Sequence, residues 1–264
     1  MALQIITPPS AEPIHLIDAL THIKYDAGID DARVKAAITA ARSSAETKTW
    51  RQLVAARHRQ VFDYFPCKIL LDRTPVLEVE SITYIAMDGT TKTVDASTYT
   101  ADCTGDPCRI SPVFGATWPI PMPQIGSVAV TFKSGFAAPI SVDIAANTIN
   151  VKIWKTQVVG DAVRFSNSGG ALPAPLLPDT DYFITSAVSG AYQISDSLGG
   201  APIVLTTISS GTSFIGEIPG DILAWMKLRI GSLDQYRSES IAMDRGSIEA
   251  LSFTDSLLDG YPTW

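Results

Sequence analysis

The feature that most constrains this chain is a double change of hydrophobic period. Residues 14–49 and 219–243 place apolar side chains every three or four positions, whereas the long stretch between them shows alternating or β-branched apolar runs separated by turn signals. A chain that is helical at both ends and strand-rich between is expected to be α+β: a helical body, an antiparallel β-sheet, and strands enough left over for a further small unit.

The first helix is expected from about Ile14 to Lys24, with Leu16, Ala19, Leu20 and Ile23 on one face and Asp26 and Gly28 as breakers. A second starts at Asp30 or Asp31, either able to cap it, and runs to about Thr49 with Val34, Ala37, Ile38, Ala41 and Ala45 in one stripe. From about Gln52 strand patterns take over, and Asp88-Gly89 between SITYIAM and TKTVDA is a hairpin signal because both turn positions favour positive φ. Residues 137–216 are poor in Lys and Arg and rich in Ser, Thr, Gly and Pro, with the runs TINVKIW, DAVRFS, DYFITSA, AYQISD and PIVLTTIS; they read as an inserted all-β domain. Pro219 then opens a third helix at its N1 position, with Ile222, Leu223, Met226, Ile230 and Leu233 buried, reaching about Met243. The expected organisation is a core of 1–136 and 217–245, an insert of 137–216, and an extended tail of 246–264.

Composition narrows the function. With 46% hydrophobic and 18% charged residues the 264-residue chain can bury a core without metal or disulfide staples. A formal net charge of −7 disfavours tight binding to a phosphate backbone. No apolar stretch approaches membrane-spanning length and no basic leader precedes an apolar core, so no membrane is expected as a partner. Three cysteines, Cys67, Cys103 and Cys108, fit a reducing compartment, with at least one thiol free.

Motifs with a mechanical reading are missing: there is no G-x-S-x-G elbow, Walker loop, H-E-x-x-H helix or G-x-G-x-x-G fingerprint. His15 and His22 lie on similar sides of one helix and His58 on a strand, which is a helix-surface pattern and not a metal set. Cys103 and Cys108 flank a Thr104-Gly105-Asp106-Pro107 turn and read as a hairpin tip whose thiols lie close. Glu78 and Glu80 alternate with Leu77 and Val79, as on a solvated strand face. Arg57, His58 and Arg59 alternate faces and suit an edge or ring contact. No catalytic residue, cofactor or metal site is expected. The tail scatters Leu251, Phe253, Leu257, Leu258, Tyr261 and Trp264 among polar residues, as in a segment that borrows a partner's surface.

Read in order, LQIITPPSAEPIHLIDALTHIKYD, IDDARVKAAITAARSSAETKTW, QVFDYFP, LLDRTPVLEVESITYIAMDGTTKTVDASTYTAD, RISPVFGATWP and VAVTFKSGF resemble the head-tail connector or adaptor family of long-tailed phages and gene-transfer-agent-like particles. IPGDILAWMKLRIGSLDQYRSE resumes the pattern after the insert, which itself resembles a β module of phage structural proteins. The resemblance implies a virion neck protein made in the host cytoplasm. It implies a homo-oligomeric ring, a dodecamer, clamped between the portal protein ring and a stopper or tail-completion protein, with genomic DNA passing through unbound. The six tail residues would then be portal-docking anchors. A competing reading makes the chain a tail or virion-surface component whose insert binds a glycan or a host surface through exposed Trp154, Tyr182 and Tyr192.

Overall fold

The computed structural model describes residues 2–26, 28, 30–235 and 256–261. The helical repeats become α1 (Leu16–Ile23), α2 (Asp31–Thr49) and α3 (Gly220–Gln235). Their apolar stripes meet: Ala19 and Leu20, Val34, Ile38, Ala41 and Ala45, and Ile222, Trp225, Met226 and Ile230 form one buried cluster. The small alanines of α2 let it pack closely against its neighbours, as the sequence predicts. Neither aspartate caps α2 through its side chain; Asp30 instead pairs with Arg33, which also reaches Asp234 on α3. Pro219 lies one position earlier than expected, its carbonyl accepting from Leu223 N, so it ends the approach to α3 and does not occupy its first turn. The expected extension of this helix to Met243 lies outside the described residues.

One strand ahead of α1 and fourteen between α2 and α3 form three antiparallel sheets, making the fold α+β. The first contains β1 (Ala2–Thr7), β2 (Ala56–Phe62), β4 (Val76–Ile85), β5 (Thr91–Thr93) and β8 (Val128–Ser134), in the order β1-β2-β8-β4-β5. A smaller one orders β3 (Ile69–Leu71), β7 (Cys108–Pro112) and β6 (Tyr99–Asp102) as β3-β7-β6. Phe62, Ile82, Val130 and Phe132 of the first sheet share a core with Ile69, Leu71 and Ile110 of the second. The Asp88-Gly89 hairpin forms between β4 and β5, with a geometry other than the expected one. Ala86 N donates to Thr90 O and Gly89 N to Ala86 O, a three-residue loop in which Gly89 (φ +78°) takes the left-handed position and Asp88 does not.

Residues 137–216 supply a seven-stranded sheet of their own. It contains β9 (Ala137–Asp143), β10 (Thr148–Val151), β11 (Ala162–Val163), β12 (Phe165–Ser168), β13 (Tyr182–Val188), β14 (Ala191–Ser195) and β15 (Thr212–Gly216), in the order β11-β13-β14-β10-β9-β15-β12. PIVLTTIS joins none of these strands; Leu205 is buried, while Val204 and Ile208 point to solvent.

This sheet is welded to the rest of the chain. The segment 51–55 between α2 and β2 is buried at every position, with Leu53 and Val54 in the helical cluster and Ala55 in the core of the seven-stranded sheet. Ala55 N donates to Ala137 O at 2.7 Å and Phe136 N to Leu53 O at 3.1 Å. Gly135 makes the crossing possible: its φ is +148°, and a Cβ there would lie 2.6 Å from the Ala55 backbone. Gly135→Ala is expected to destabilise the fold by about 3 kcal/mol or more, through overpacking against backbone at a conformation alanine disfavours. Chemical denaturation of the variant measures this.

His58 is fully buried on β2, stacked on Phe132 at 5.4 Å, and neither ring nitrogen has a hydrogen-bond partner among the described residues. Burial, with the charge of Arg73 nearby, pulls its pKa down to about 4. Between pH 6.5 and 4 the unfolded chain takes up a proton at this position and the folded chain does not, so stability falls as pH falls through that window. The expected loss is about 3 kcal/mol, and His58→Phe should flatten this part of a stability-versus-pH curve measured by urea titration.

Candidate assembly interfaces

Among the described residues the histidines and cysteines lie on separate elements. His15 begins α1, where its Nδ1 accepts from Ile17 N and its own N–H donates to Ser168 Oγ at 2.8 Å. His22 is exposed and His58 lies inside the first sheet, so the three histidines stay apart. Among the described residues no three His, Cys, Asp or Glu side chains are placed to hold a metal.

Cys103 and Cys108 are joined as a disulfide that closes the turn between β6 and β7, while Cys67 is free and exposed. The hairpin tip was legible from the turn residues, while the cysteine count required only that one thiol stay free and left the state of Cys103 and Cys108 open. Asp106 on the same tip reaches back to the buried Arg51 at 2.8 Å, fastening the hairpin to the crossing segment.

Two further expectations need correction. Glu78 and Glu80 are not a solvated face. Two residues apart on β4, they share one side, where Lys133 of β8 lies 2.9 Å from Glu78 and 3.5 Å from Glu80, and Arg57 of β2 also pairs with Glu80. Thr156 Oγ1 donates to Glu78 at 2.8 Å and Lys133 Nζ to Trp154 O at 3.0 Å, so the group forms a seam between the first and seven-stranded sheets. Burial works against the Glu78 charge, but the bonds from Lys133 and Thr156 outweigh it and hold the carboxyl below the usual range. The Arg57-His58-Arg59 run is no sheet edge either, because β1 pairs along the outer side of β2. Arg59 alone of the three is exposed.

Trp154, Tyr182 and Tyr192 are 9%, 4% and 6% exposed and line the core of the seven-stranded sheet. They hold that sheet together and present no aromatic platform for a sugar. A polar cleft of about 320 Å³ beside them is lined by Lys133, Lys152 and Lys155, a cationic rim without a nucleophile-base pair.

Of the six expected docking residues, Leu251, Phe253 and Trp264 lie outside the described residues. Leu257, Leu258 and Tyr261 are brought onto the chain's own helical cluster, Leu258 at 8% exposure. Tyr261 Oη donates to Asp221 Oδ2 at the start of α3, and burial together with that carboxylate raises its pKa. These three positions are therefore anchors within the chain.

A second surface stands out that the sequence reading did not single out. The loop between β7 and β8, residues 113–127, contains no charged residue. It exposes Phe114 at 107%, Ile120 at 79% and Ile125 at 92%. Its only sequence signal is this lack of charge together with Pro119, Pro121 and Pro123; exposure itself is set by tertiary packing.

No family model matches the sequence, and no curated protein does. Solved structures do match: a chain in the virion of a native gene transfer agent particle and one in the neck of the empty particle computed with C6 symmetry, each with a TM-score of 0.57, and one in the neck of the native particle computed with C12 symmetry, with a TM-score of 0.54. Each is 16% identical, and each alignment covers 100% of this chain and 96% of the other. The likeness establishes a shared fold with components of a phage-like particle.

Proposed function

We propose that this chain is a structural neck component of a tailed phage or phage-like particle: an adaptor that forms a ring between the portal protein and a stopper or tail-completion protein. The observation that carries the reading is whole-chain fold likeness to neck chains from particles reconstructed with sixfold and twelvefold symmetry. The connector-like segments in the sequence support it independently. In this reading the helices and first two sheets form the adaptor core, residues 137–216 an inserted module fastened to it, and residues 246–264 a docking tail.

The physical properties suit such a role. A negatively charged wall around a channel leaves DNA phosphates unneutralised, so the genome slides past without counterion release and without sticking. A ring component must also transmit load without domain slippage, and the crossing segment at 51–55 supplies that rigidity. Function resides in faces, and no covalent step is needed.

Mixing the full chain with its portal ring and imaging the product by electron microscopy tests this reading. A ring docked beneath the portal is the expected result, and absence of any association overturns it. Because Leu258 belongs to the helical cluster, deleting the whole tail would disturb the body as well. The informative variant is therefore Phe253→Ala with Trp264→Ala, which is expected to weaken portal docking at least about tenfold if each removes more than about 1 kcal/mol. Unchanged docking would remove these two anchors from the interface.

A further inference from the structure

Residues 137–216 contain only three basic side chains, Lys152, Lys155 and Arg164. Arg164 pairs with Asp181, whereas both lysines line the cleft of about 320 Å³ beside the seam between the first and seven-stranded sheets. Lys152 and Lys155 come from the chain as it leaves β10, Ser189 and Tyr192 from the β13–β14 hairpin, and Lys133 from β8. Ser189 and Gly190 both take positive φ, +49° and +83°, in the two-residue turn that joins the paired Val188 and Ala191. Val151 N donates to Gly190 O at 2.9 Å, which ties the hairpin tip to the end of β10 and fixes the two walls relative to each other.

Among the described residues no Asp or Glu lines this cleft. Lys133 is neutralised from behind by Glu78 and Glu80, but Lys152 and Lys155 are exposed and have no ion pair or hydrogen bond among the described residues. The seam itself shows which acceptor suits such donors. Glu78 accepts from Lys133 Nζ at 2.9 Å, Thr156 Oγ1 at 2.8 Å and Thr156 N at 3.2 Å, so a carboxylate already occupies the inner side. Lys152 and Lys155 offer ammonium groups of the same kind on the outer side.

Three kinds of anion compete for such a cleft. Duplex DNA fits worst: two free lysines release about two counterions, too few to hold a polyanion against a net charge of −7. A free phosphate is ordinarily taken by an arginine fork or a helix N-terminus, and neither is part of the lining. An acidic peptide matches more of the surface. Val158 and Val159 follow the lining residue Gln157 in the chain and Val188 precedes Ser189, and these three valines are exposed by 61%, 66% and 66%. A peptide can place a carboxylate between the lysines and aliphatic side chains on the valines, whereas a free anion gains nothing from them.

We propose that this cleft is a docking site for an acidic peptide segment of a partner protein, with Lys152 and Lys155 pairing its carboxylates and the flanking valines taking its apolar side chains. The site goes beyond the neck reading and does not depend on it. Its charge complements a partner whose docking segment is acidic, and it gives the segment 137–216 a binding role separate from that of the helices.

Titrating the full chain into a fluorescein-labelled peptide of alternating glutamate and valine, with fluorescence anisotropy as the readout, tests the site. Saturable binding that weakens as salt is raised is expected, because ion pairs in an open cleft are screened. A peptide with glutamine in place of glutamate should bind at least about tenfold more weakly. Lys152→Gln with Lys155→Gln should lose affinity for the acidic peptide by a similar factor with unchanged thermal melting, since both side chains are exposed. Lys35→Gln with Lys68→Gln removes the same charge from exposed positions elsewhere and should bind normally. Equal losses in the two double variants overturn the site in favour of net charge. Absence of binding by the acidic peptide, or equal binding of both peptides, overturns the proposal. Displacement of the peptide by inorganic phosphate mole for mole, or by a short DNA duplex at equal concentration, also overturns it and makes the cleft a phosphate site. All of these results leave portal docking, and with it the neck reading, to its own test.

Discussion

The buried crossing at residues 51–55 is the constraint on which the rest of the structure depends, and Glu46 holds it in place. From the last turns of α2 its carboxylate accepts from Leu53 N at 3.2 Å, Gln52 Nε2 at 2.8 Å and Arg42 Nη1 at 3.0 Å, while Arg73 donates to its backbone carbonyl. Arg42 also reaches Glu12 at 2.7 Å on the approach to α1. Burial raises the pKa of Glu46, and Arg42 opposes that rise. A buried carboxylate with these partners is not a large source of net stability, because desolvation offsets much of the attraction. Its consequence is specificity: other paths for the 51–55 segment would take from the Glu46 carboxylate its bonds from Gln52 and Leu53 and leave a buried backbone N–H without its acceptor.

That single path joins three hydrophobic cores. Leu53 and Val54 enter the helical cluster, Ala55 enters the seven-stranded core, and β2 continues directly into the core of the first two sheets. Ser168 reinforces the junction by donating to Asp18 on α1 while accepting from His15 N. Residues 137–216, expected from the sequence to be an insert, are thus bonded to the rest of the body.

Much of the fold was legible where the physics is local. The stripes on α1 and α2 and the Asp88-Gly89 turn are written within a few residues of where they act. Strand β1 was not: ALQIIT, which runs into Pro8 and Pro9, drew no strand expectation, because its partner, β2, lies some fifty residues away and no local pattern records that pairing. PIVLTTIS misled in the opposite direction. Its β-branched residues favour extended backbone, yet its hydrogen bonds are scattered and build no ladder: Ile203 N donates to Ile194 O of β14 and Thr206 N to Ala174 O in a loop. The candidate interfaces were less legible still. Trp154, Tyr182 and Tyr192 resemble a binding platform until the sheet closes over them, and Phe114 and Ile125 resemble core residues until the loop turns them outward.

Amide hydrogen exchange followed by mass spectrometry on the full chain tests most directly whether one crossing unites these cores. The account requires α2, β2, β8, β9 and β15 to share the slowest exchange class and lose protection together under mild denaturant. Cooperative exchange of residues 137–216 in a separate, earlier step, while α2 and β2 stay protected, would contradict it.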